Sequence, residues 1–355
     1  MASVLVVNAG STSVKLRIVA EDENVREPAS LADVSADDLE AVAHRVVHGG
    51  PHLRAPALID EEIRRAIHEL ESLAPLHNAP ALRGIDEARE AFPYLPHVAV
   101  FDTGFHATIP EEASVYAIPR RWREQWGIRR YGFHGLSVEW STERAAQLLG
   151  RAATRLVVCH LGGGCSVTGV ANGRSVDTTM GFSPLEGVPM NTRSGSVDPG
   201  ALLYLLREGH VGIDELDHML NFESGIEGLG DGSRSALELE AAATAADDAA
   251  ELAYAVFEHR VAGAVAAMAT AAGGIDALVF TAGIGEGSSH VREHVCRRLR
   301  FLGVELDRDT NEAAVPDCDC AAAGSAVRVL VIHAREELIA ARAARKVLRE
   351  TRREP

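Results

Sequence analysis

Two stretches of the chain repeat one pattern of apolar and polar positions. Each has an apolar run, then a short turn of small or polar residues, then a second apolar run, and they occupy residues 4–19 and 155–171. Short apolar runs bounded by turn residues are typical of buried strands, so the pattern predicts a β-hairpin at both places. The turn of the second copy contains three glycines, Gly162, Gly163 and Gly164.

The turns of the two predicted hairpins are suited to binding an anion. Because glycine has no Cβ, the backbone of a glycine turn can lie close to a ligand, with its amide groups pointing together at a phosphate. Each first strand also ends near a side chain that forms hydrogen bonds, Asn8 in one copy and His160 in the other. A plain structural hairpin is the alternative for either copy alone. The repetition favours a duplicated domain with a nucleotide between the halves.

Charged groups stand in or after two further apolar runs. Arg45 lies among apolar residues, so its guanidinium needs an anionic partner, which is either a ligand or a structural carboxylate. Asp102 ends another run, where α/β proteins commonly expose catalytic groups; capping of the next turn is the alternative. The strands predicted after the first hairpin are residues 43–47, 97–102, 155–161, 167–171, 276–281 and 327–332.

Histidines and glycines mark the connections between these strands. His134 lies near glycines that permit close approach of a ligand, and Gly283 and Gly285 follow a predicted strand. His77 stands between two prolines, where a loop histidine is usually solvated. The predicted helices are residues 60–73, 137–149, 199–208, 213–221, 236–272 and 335–347.

Composition fits a globular protein of two domains. The chain has 355 residues, which exceeds the size at which one core usually stops growing, and 46% of them are hydrophobic. A formal charge of −16 argues against a nucleic-acid surface. We expect no membrane segment and no secretory leader, and therefore a cytoplasmic protein. The five cysteines, including Cys318 and Cys320, are expected to be free thiols.

A series of motifs in this chain resembles the acetate kinase family. They are N-A-G-S-T-S, H-R-V-V-H-G-G, L-A-P-L-H-N, V-F-D-T-G-F-H, Y-G-F-H-G, H-L-G-G-G-C-S, T-M-G-F-S-P-L-E-G and T-A-G-I-G-E, and they follow the family's order over nearly the whole chain. The resemblance implies an α/β fold of two duplicated domains, actin-like and ribonuclease-H-like, with mixed sheets flanked by helices. It also implies an active-site cleft between the domains and a homodimer.

The resemblance further implies phosphoryl transfer between a nucleotide and a short carboxylate. Arg45 and Arg193 would contact the transferring group and the carboxylate, and His134 would bind the γ-phosphate. Asp102 would orient the reacting groups, because a carboxylate substrate is already a nucleophile and needs no strong base. The residues expected to bind phosphate and nucleotide are Asn8, Ser11, Ser13, Lys15, His160, Gly162, Gly163, Gly164, Gly283 and Gly285.

The acid and the metal also have expected places by this resemblance. Asn8 and Glu336 would hold Mg²⁺, or Mn²⁺ in its place. His77 would support the acid site together with Arg45. The residues that fall where the family forms a small apolar pocket for the acyl methyl group are Val47, Leu76, Phe133 and Pro184.

The chain departs from the family pattern in several places. A few dozen residues are missing between the first hairpin and Arg45, and Gly163 stands where the family usually has asparagine. The family places an aspartate and an arginine around adenosine, and residues 224–238 of this chain have neither at the aligned positions. Asp231 and Arg234 would take their places if the alignment were shifted slightly. The altered segment leaves open a donor other than ATP, such as pyrophosphate or another nucleotide.

The sequence therefore predicts a kinase that reversibly converts ATP and acetate into ADP and acetyl phosphate. A kinase linked to pyrophosphate or phosphate, or acting on propionate or butyrate, is one alternative. A non-catalytic nucleotide-binding homologue is another. We expect residues 1–140 with 337–355 to form an N-terminal domain that includes a returning C-terminal helix, and residues 141–336 to form the nucleotide-binding domain.

Overall fold

The fold comes from a computed structural model of the chain. It describes residues 3–9, 14–71, 75–151, 154–230, 232, 234–245 and 247–352, with the backbone alone at residues 75–77 and 244. The strands are β1 (Ser3–Ala9), β2 (Val14–Val19), β3 (Val25–Arg26), β4 (Leu39–Val46), β5 (Ala57–Leu58), β6 (His97–Phe101), β7 (Arg155–Leu161), β8 (Cys165–Ala171), β9 (Arg174–Thr178), β10 (Ala277–Thr281), β11 (Cys318–Asp319) and β12 (Arg328–Val331).

Helices fill most of the connections between the strands. Within the described ranges, none of them has the length and apolar character needed to span a membrane. The helices are α1 (Glu61–Glu69), α2 (Pro75–Ala91), α3 (Glu111–Ser114), α4 (Arg120–Trp126), α5 (Gly135–Leu148), α6 (Pro199–Arg207), α7 (Ile213–Phe222), α8 (Gly225–Gly230), α9 (Ala236–Thr244), α10 (Asp248–Ala271), α11 (Ala282–Gly287), α12 (Ser289–Arg298), α13 (Arg308–Glu312) and α14 (Glu336–Thr351).

The strands form two six-stranded sheets with the same topology. The first has the order β3-β2-β1-β4-β6-β5 and the second the order β9-β8-β7-β10-β12-β11. In each sheet an antiparallel meander of three strands adjoins two strands parallel to its first strand, and a short antiparallel strand closes the far edge. This repetition confirms the predicted duplicated α/β fold, with both hairpins at the predicted places.

Helices α5 and α14 lie in a layer between the two sheets. One apolar cluster joins Val6 of the first sheet, Val158 of the second, Trp140 of α5 and Leu338 of α14. The central strands are buried on both faces, which explains why they are almost continuously apolar rather than alternating. The C-terminal helix α14 therefore packs against the sheet that contains the start of the chain, and its first residue lies at the cleft described below.

The outer face of each sheet is covered by its own helices. In β6, Val98 and Val100 face the shared helix layer, whereas Ala99 and Phe101 face outward and pack with Ile85 of α2, as the period of two along a strand requires. Helices α8, α9, α10 and α12 cover the second sheet in the same way, around a separate apolar cluster. The molecule thus has five layers, with helices outside, sheets inside them and two helices at the centre.

Two helical segments differ from the sequence prediction. The two prolines predict a loop around His77, but α2 begins at Pro75 and continues through Pro80. Proline is tolerated in the first turn of a helix, and burial of Leu82 and Ile85 offsets the hydrogen bond lost at Pro80. The glycines after β10 predict a turn, but they form the short helix α11.

Candidate active site

A cavity of about 740 Å³ opens between the two sheets. It lies where central strands of both sheets end, as predicted for a cleft between duplicated halves. Both halves of the fold contribute side chains to it. The predicted site residues in its lining are Asn8, Lys15, Arg45, His160, Gly283 and Glu336.

Asn8 and His160 occupy equivalent places in the two halves. Each is the sixth residue of the first strand of its sheet, one residue before the strand ends. In the hairpin register Asn8 pairs with Lys15, and His160 pairs with Ser166. Each hairpin therefore brings a hydrogen-bonding side chain to the cavity, as the sequence pattern predicts. The predicted phosphate ligands Ser11 and Ser13 lie outside the described residues.

Arg45 and Asp102 form a bidentate ion pair at the ends of β4 and β6. Arg45 donates from Nε to Oδ1 at 2.8 Å and from Nη2 to Oδ2 at 2.5 Å. Asp102 is fully buried, and burial raises its pKa, although the charge of Arg45 opposes that shift. Burial also disfavours the charge of Arg45, but Asp102 and Glu336 outweigh it and raise the pKa of Arg45. The anionic partner of Arg45, which the sequence left open, includes a protein carboxylate.

The same guanidinium organises two further polar groups. Nη1 of Arg45 donates to Oδ1 of Asn8 at 3.2 Å and lies 3.5 Å from Oε2 of Glu336. Glu336 is the first residue of α14, where the positive end of the helix dipole favours a carboxylate. An amide oxygen and a carboxylate therefore meet beside Arg45 in the cavity wall.

His134 is held in an unusual backbone conformation next to the Asp102 loop. Its φ is 60°, in the left-handed region that residues other than glycine seldom adopt. The N–H of Gly135 donates to the carbonyl oxygen of Asp102 at 2.9 Å, and a Cβ at Gly135 would lie 2.2 Å from that oxygen. Only glycine permits this approach, which fixes His134 relative to Asp102. Strained residues of this kind cluster at functional sites.

The ring of His134 connects the cavity to the glycine turn. It stacks on the ring of His160, with centroids 4.0 Å apart, and its Nδ1 lies 3.1 Å from Oγ of Ser166. A Cβ at Gly164 would lie 3.2 Å from Nε2 of His134 and 3.5 Å from Nη1 of Arg193. Two predicted catalytic side chains, on separate loops, therefore meet at the predicted phosphate turn.

Both stacked histidines are neutral at physiological pH. Burial lowers the pKa of His134 well below its ordinary value, and the neighbouring His160, Arg45 and Arg193 act in the same direction. Burial also lowers the pKa of His160 to about 4. If the Ser166 hydroxyl donates to Nδ1 of His134, Nε2 carries the proton. His134 then donates a hydrogen bond toward the glycine turn without carrying a charge.

The other predicted glycines serve different purposes. The N–H of Gly162 donates to the carbonyl oxygen of Gly164 at 3.0 Å and closes the turn, whereas a Cβ at Gly163 would meet nothing within 4 Å. Gly283 lines the cavity from α11. Gly285 is the buried residue of α11, and a Cβ there would lie 3.4 Å from the carbonyl carbon of Phe280, so this glycine lets α11 pack closely on the end of β10.

The residues predicted for the acid pocket divide into two groups. Val47 and Phe133 are buried in one apolar cluster. Pro184 lies beside Arg193, since its carbonyl oxygen accepts a hydrogen bond from Nη1 at 3.4 Å. The predicted residues Leu76 and His77 belong to the first turn of α2, and their side chains lie outside the description.

Glu286 is a cavity residue that the sequence reasoning missed. Its Oε1 accepts hydrogen bonds from the N–H groups of Ala282 at 3.0 Å and Ala334 at 2.9 Å, and its Oε2 lies 2.7 Å from Nδ1 of His333. It therefore ties the start of α11 to the segment that leads into α14. The available signal was its place at the end of T-A-G-I-G-E, directly after the glycines.

Residues near the expected adenosine site have structural partners of their own. Ser235 caps the start of α9 by accepting a hydrogen bond from the N–H of Glu238. Arg234 forms an ion pair with Asp247, at 3.0 Å between Nη1 and Oδ2. Leu237 is 77% exposed. Asp231 lies outside the described residues.

We expect the chain to lose stability as the pH falls from 6.5 toward 4, because of buried histidines such as His106. Both of its ring nitrogens have partners, Oγ of Ser175 at 2.9 Å and the carbonyl oxygen of Phe133 at 2.8 Å. Burial lowers its pKa from 6.5 to about 4. In this window the unfolded chain binds the extra proton, so stability is present above pH 6.5 and falls by on the order of 3 kcal/mol toward pH 4.

Urea unfolding at several pH values measures this effect. Between pH 6.5 and 4, the unfolding free energy should fall less steeply with decreasing pH in His106→Asn than in the wild type. This difference in slope is expected whatever the substitution costs at neutral pH. His68→Gln is the matched control, because His68 lies on the surface of α1 beside Glu71. Equal slopes in the wild type and His106→Asn would contradict the assignment.

The duplicated fold and the groups at its cleft define the class of the protein. Arg45 lies in the cavity wall, His134 stacks on the cavity residue His160, and Arg193 lies beside His134 at the glycine turn. Two cations and a neutral histidine placed in this way are suited to stabilising a phosphoryl group during transfer. These features are those of a phosphotransferase. The chain belongs to the acetokinase family, whose model matches residues 23–342, and this confirms the resemblance drawn from the sequence.

Named relatives of the chain are similar over most of their lengths. It is 48% identical to an acetate kinase of Nostoc punctiforme over 302 residues, which is 84% of this chain and 74% of that protein. It is 50% identical to an acetate kinase of Gloeobacter violaceus over 316 residues, 88% of this chain and 77% of that protein.

Solved structures give the same result. A propionate kinase from Francisella tularensis superposes with a TM-score of 0.90 at 34% identity, covering 97% of this chain and 99% of that one. An acetate kinase from Porphyromonas gingivalis superposes with a TM-score of 0.87 at 32% identity, covering 98% and 100%.

Proposed function

We propose that the chain acts as an acetate kinase, which transfers the γ-phosphoryl group of ATP to acetate and gives acetyl phosphate and ADP. The observation that carries this proposal is the position of Arg45 in the wall of a cleft between two similar halves of the fold, with His134 and Arg193 at the adjoining glycine turn. Membership of the acetokinase family supports a carboxylate as the acceptor. The reverse reaction uses the same groups.

In the reaction, an acetate oxygen attacks the γ-phosphorus and the bond to the oxygen shared with the β-phosphate breaks. The electron pair of that bond leaves with ADP. Charge spreads over the oxygens of the phosphoryl group in flight, where the fork of Arg193 and Nε2–H of His134 stabilise it. Acetate needs no base. Both oxygens of Asp102 are already occupied by Arg45, so Asp102 positions Arg45 rather than accepting a proton.

The phosphates of the nucleotide would lie between the two hairpins. Lys15, His160 and Gly283 line the cavity there, and the glycine turn offers backbone amides beside His134. Ser11 and Ser13 remain proposed ligands by resemblance alone.

The cavity also suits Mg²⁺, or Mn²⁺ in its place. Both ions prefer oxygen donors, and Asn8 and Glu336 offer an amide oxygen and a carboxylate beside Arg45. Glu337 adds a second carboxylate to the lining. Asn8 and Glu336 would hold the ion directly or through water, and when bound it supplies positive charge to the nucleotide phosphates.

Enlarging the acid pocket should change the preferred acid. Val47→Ala removes two methyl carbons from the apolar cluster that also contains Phe133, and one methylene in an apolar pocket is worth about 1–3 kcal/mol. We expect the ratio of kcat/KM for propionate to that for acetate to rise roughly tenfold. Val279→Ala, at a buried valine of β10 in another cluster, should leave the ratio unchanged. An unchanged ratio in Val47→Ala would remove Val47 from the acid pocket.

Hydroxylamine trapping of the acyl phosphate tests the donor and the activity together. With acetate and Mg²⁺, we expect hydroxamate from ATP and none from pyrophosphate. Product from pyrophosphate alone would favour the pyrophosphate-linked alternative, to which the altered segment at residues 224–238 points. If ATP raises the melting temperature but no donor gives product, the chain is a nucleotide-binding homologue without activity.

We also propose a homodimer and the domain division stated above. Helices α6 and α7 expose large apolar side chains, among them Tyr204 at 57% and Ile213 at 76%, which suit a protein interface. The assignment of residues 337–355 to the N-terminal domain is supported by α14, which packs against β1, β4 and β6 of the first sheet. Light scattering after gel filtration measures the mass of the assembly, and a monomer would contradict the first proposal.

A further inference from the structure

Three side chains with metal-binding chemistry cluster away from the cleft. Glu258 lies on α10, and His290 and His294 lie on α12, the helix that follows α11. One ligand atom from each residue lies within 4.8 Å of the other two. The cavity of the candidate active site is lined by other residues. The phosphoryl-transfer chemistry therefore gives this cluster no role.

The carboxylate of Glu258 lacks the partner that its burial requires. Glu258 is 3% exposed, and its Oε1 finds no hydrogen-bond partner in the part of the chain that the structure describes. Nη2 of Arg298 lies 4.0 Å from Oε2, at the outer limit of an ion pair. A buried carboxylate is costly unless it is paired or binds a metal. Oε1 is therefore a free ligand atom directed into the cluster.

The two histidines are arranged as a pair of ligands. They are four residues apart and lie on one face of α12, with ring centroids 4.0 Å apart. Nδ1 of His294 lies 2.9 Å from the carbonyl oxygen of His290. When Nδ1 donates to that oxygen, Nε2 keeps its lone pair, and metal-binding histidines commonly have such a hydrogen bond on the other ring nitrogen. Both rings are partly exposed, which gives an ion a way in from solvent.

A simple buried ion pair explains the distances less well. Nε2 of His290 lies 3.4 Å from Oε1 of Glu258, and Nδ1 of His294 lies 3.7 Å from the same oxygen. Both separations are longer than an ordinary N–H···O hydrogen bond of about 2.7–3.2 Å. Ligands about 2.0–2.1 Å from a tetrahedral zinc ion are separated from each other by roughly 3.4 Å. The spacing of His290 and Glu258 matches the metal.

We propose that Glu258, His290 and His294 bind a divalent transition-metal ion of the Zn²⁺ type, with water completing the coordination. Two imidazoles and one carboxylate form a donor set that zinc accepts readily. Mg²⁺ prefers octahedral oxygen ligands, so this site is distinct from the magnesium site proposed in the cleft. The ion joins α10 to α12 and so stabilises the position of α12, the helix that follows α11.

Zinc titration of the metal-free protein by calorimetry, with excess Mg²⁺ present, tests this site. We expect one equivalent of Zn²⁺ bound to the wild type that is absent from the variant carrying His290→Gln and His294→Gln. Zn²⁺ should raise the Tm of the wild type and not that of the variant. Co²⁺ in place of Zn²⁺ should give the intense visible bands of a four-coordinate site, again lost in the variant.

Several variants separate this site from other zinc ligands. Glu258→Gln removes a ligand with little change of side-chain shape, and it should also fail to bind the one equivalent of Zn²⁺. The same loss in this variant would show that misfolding of the double variant is not the cause. His218→Gln should keep the equivalent, since His218 is a surface histidine beside Glu223. Cys318→Ser should keep it too, although the sulfurs of Cys318 and Cys320 lie 3.6 Å apart. Absence of zinc binding by the wild type, or equal binding by the histidine double variant, would overturn the proposal.

Discussion

Arg45→Ala is expected to abolish acyl phosphate formation and to destabilise the protein strongly. Arg45 holds both oxygens of the buried Asp102 and also contacts Asn8 and Glu336. Its removal leaves an unpaired buried carboxylate, which costs about 3–5 kcal/mol of unfolding free energy. It also removes a cation from the phosphoryl site, so kcat/KM should fall by roughly 10³-fold or more. Urea unfolding and a hydroxamate assay measure the two effects.

Two further variants separate stability from catalysis. Arg45→Met combined with Asp102→Leu removes both charges, so it should recover most of the lost stability without recovering activity. The control is Arg64→Ala, because Arg64 and Asp86 form an ion pair of the same bidentate kind on the surface. There the cost should stay below about 1 kcal/mol. Activity in the charge-free double variant would show that Arg45 has no part in phosphoryl transfer.

Arg193→Ala should reduce kcat by roughly 10³-fold while changing stability little. Arg193 is only partly buried, and its guanidinium lies at the glycine turn beside His134. The interaction proposed for it strengthens when the phosphoryl group is in flight, so the loss should appear in kcat more than in KM. Steady-state kinetics with saturating ATP and varied acetate separate these two parameters.

The conservative variant tests the geometry of this arginine. Arg193→Lys keeps the positive charge but loses the planar fork that grips two oxygens, so its activity should lie between those of the wild type and the alanine variant. Arg54→Ala is the control, because Arg54 also donates to a proline carbonyl, that of Pro51, but lines a different cavity, together with Phe105 and Arg342. Wild-type kinetics in Arg193→Ala would exclude the proposed role.

The sheets were predictable because their central strands are buried on both faces. Burial forces near-continuous apolar runs, and the small residues between them mark the two hairpins, so the duplication could be predicted from β1 and β7 alone. The two-residue edge strands β5 and β11 carry too few residues for a pattern. The position of α14 between the sheets depends on contacts distant in sequence, which no local pattern contains.

The candidate site was predictable as a set of residues and not as an arrangement. A guanidinium among apolar residues requires an anion, but only the register of β4 and β6 identifies Asp102 as its partner. The contact of Gly164 with His134 and Arg193 joins three separate loops. Glu286 escaped notice because its role is to accept backbone hydrogen bonds, and such a role leaves no pattern in the sequence.

The most direct test of phosphoryl transfer between ATP and a carboxylate at this cleft is the reverse reaction. Acetyl phosphate and ADP are supplied with Mg²⁺, and the ATP formed is measured by luciferase. We predict ATP formation by the wild type and by Arg54→Ala, with roughly a 10³-fold loss in Arg193→Ala. No ATP from the folded wild-type protein, or equal rates in the wild type and Arg193→Ala, would contradict the proposed activity or its assignment to this cleft.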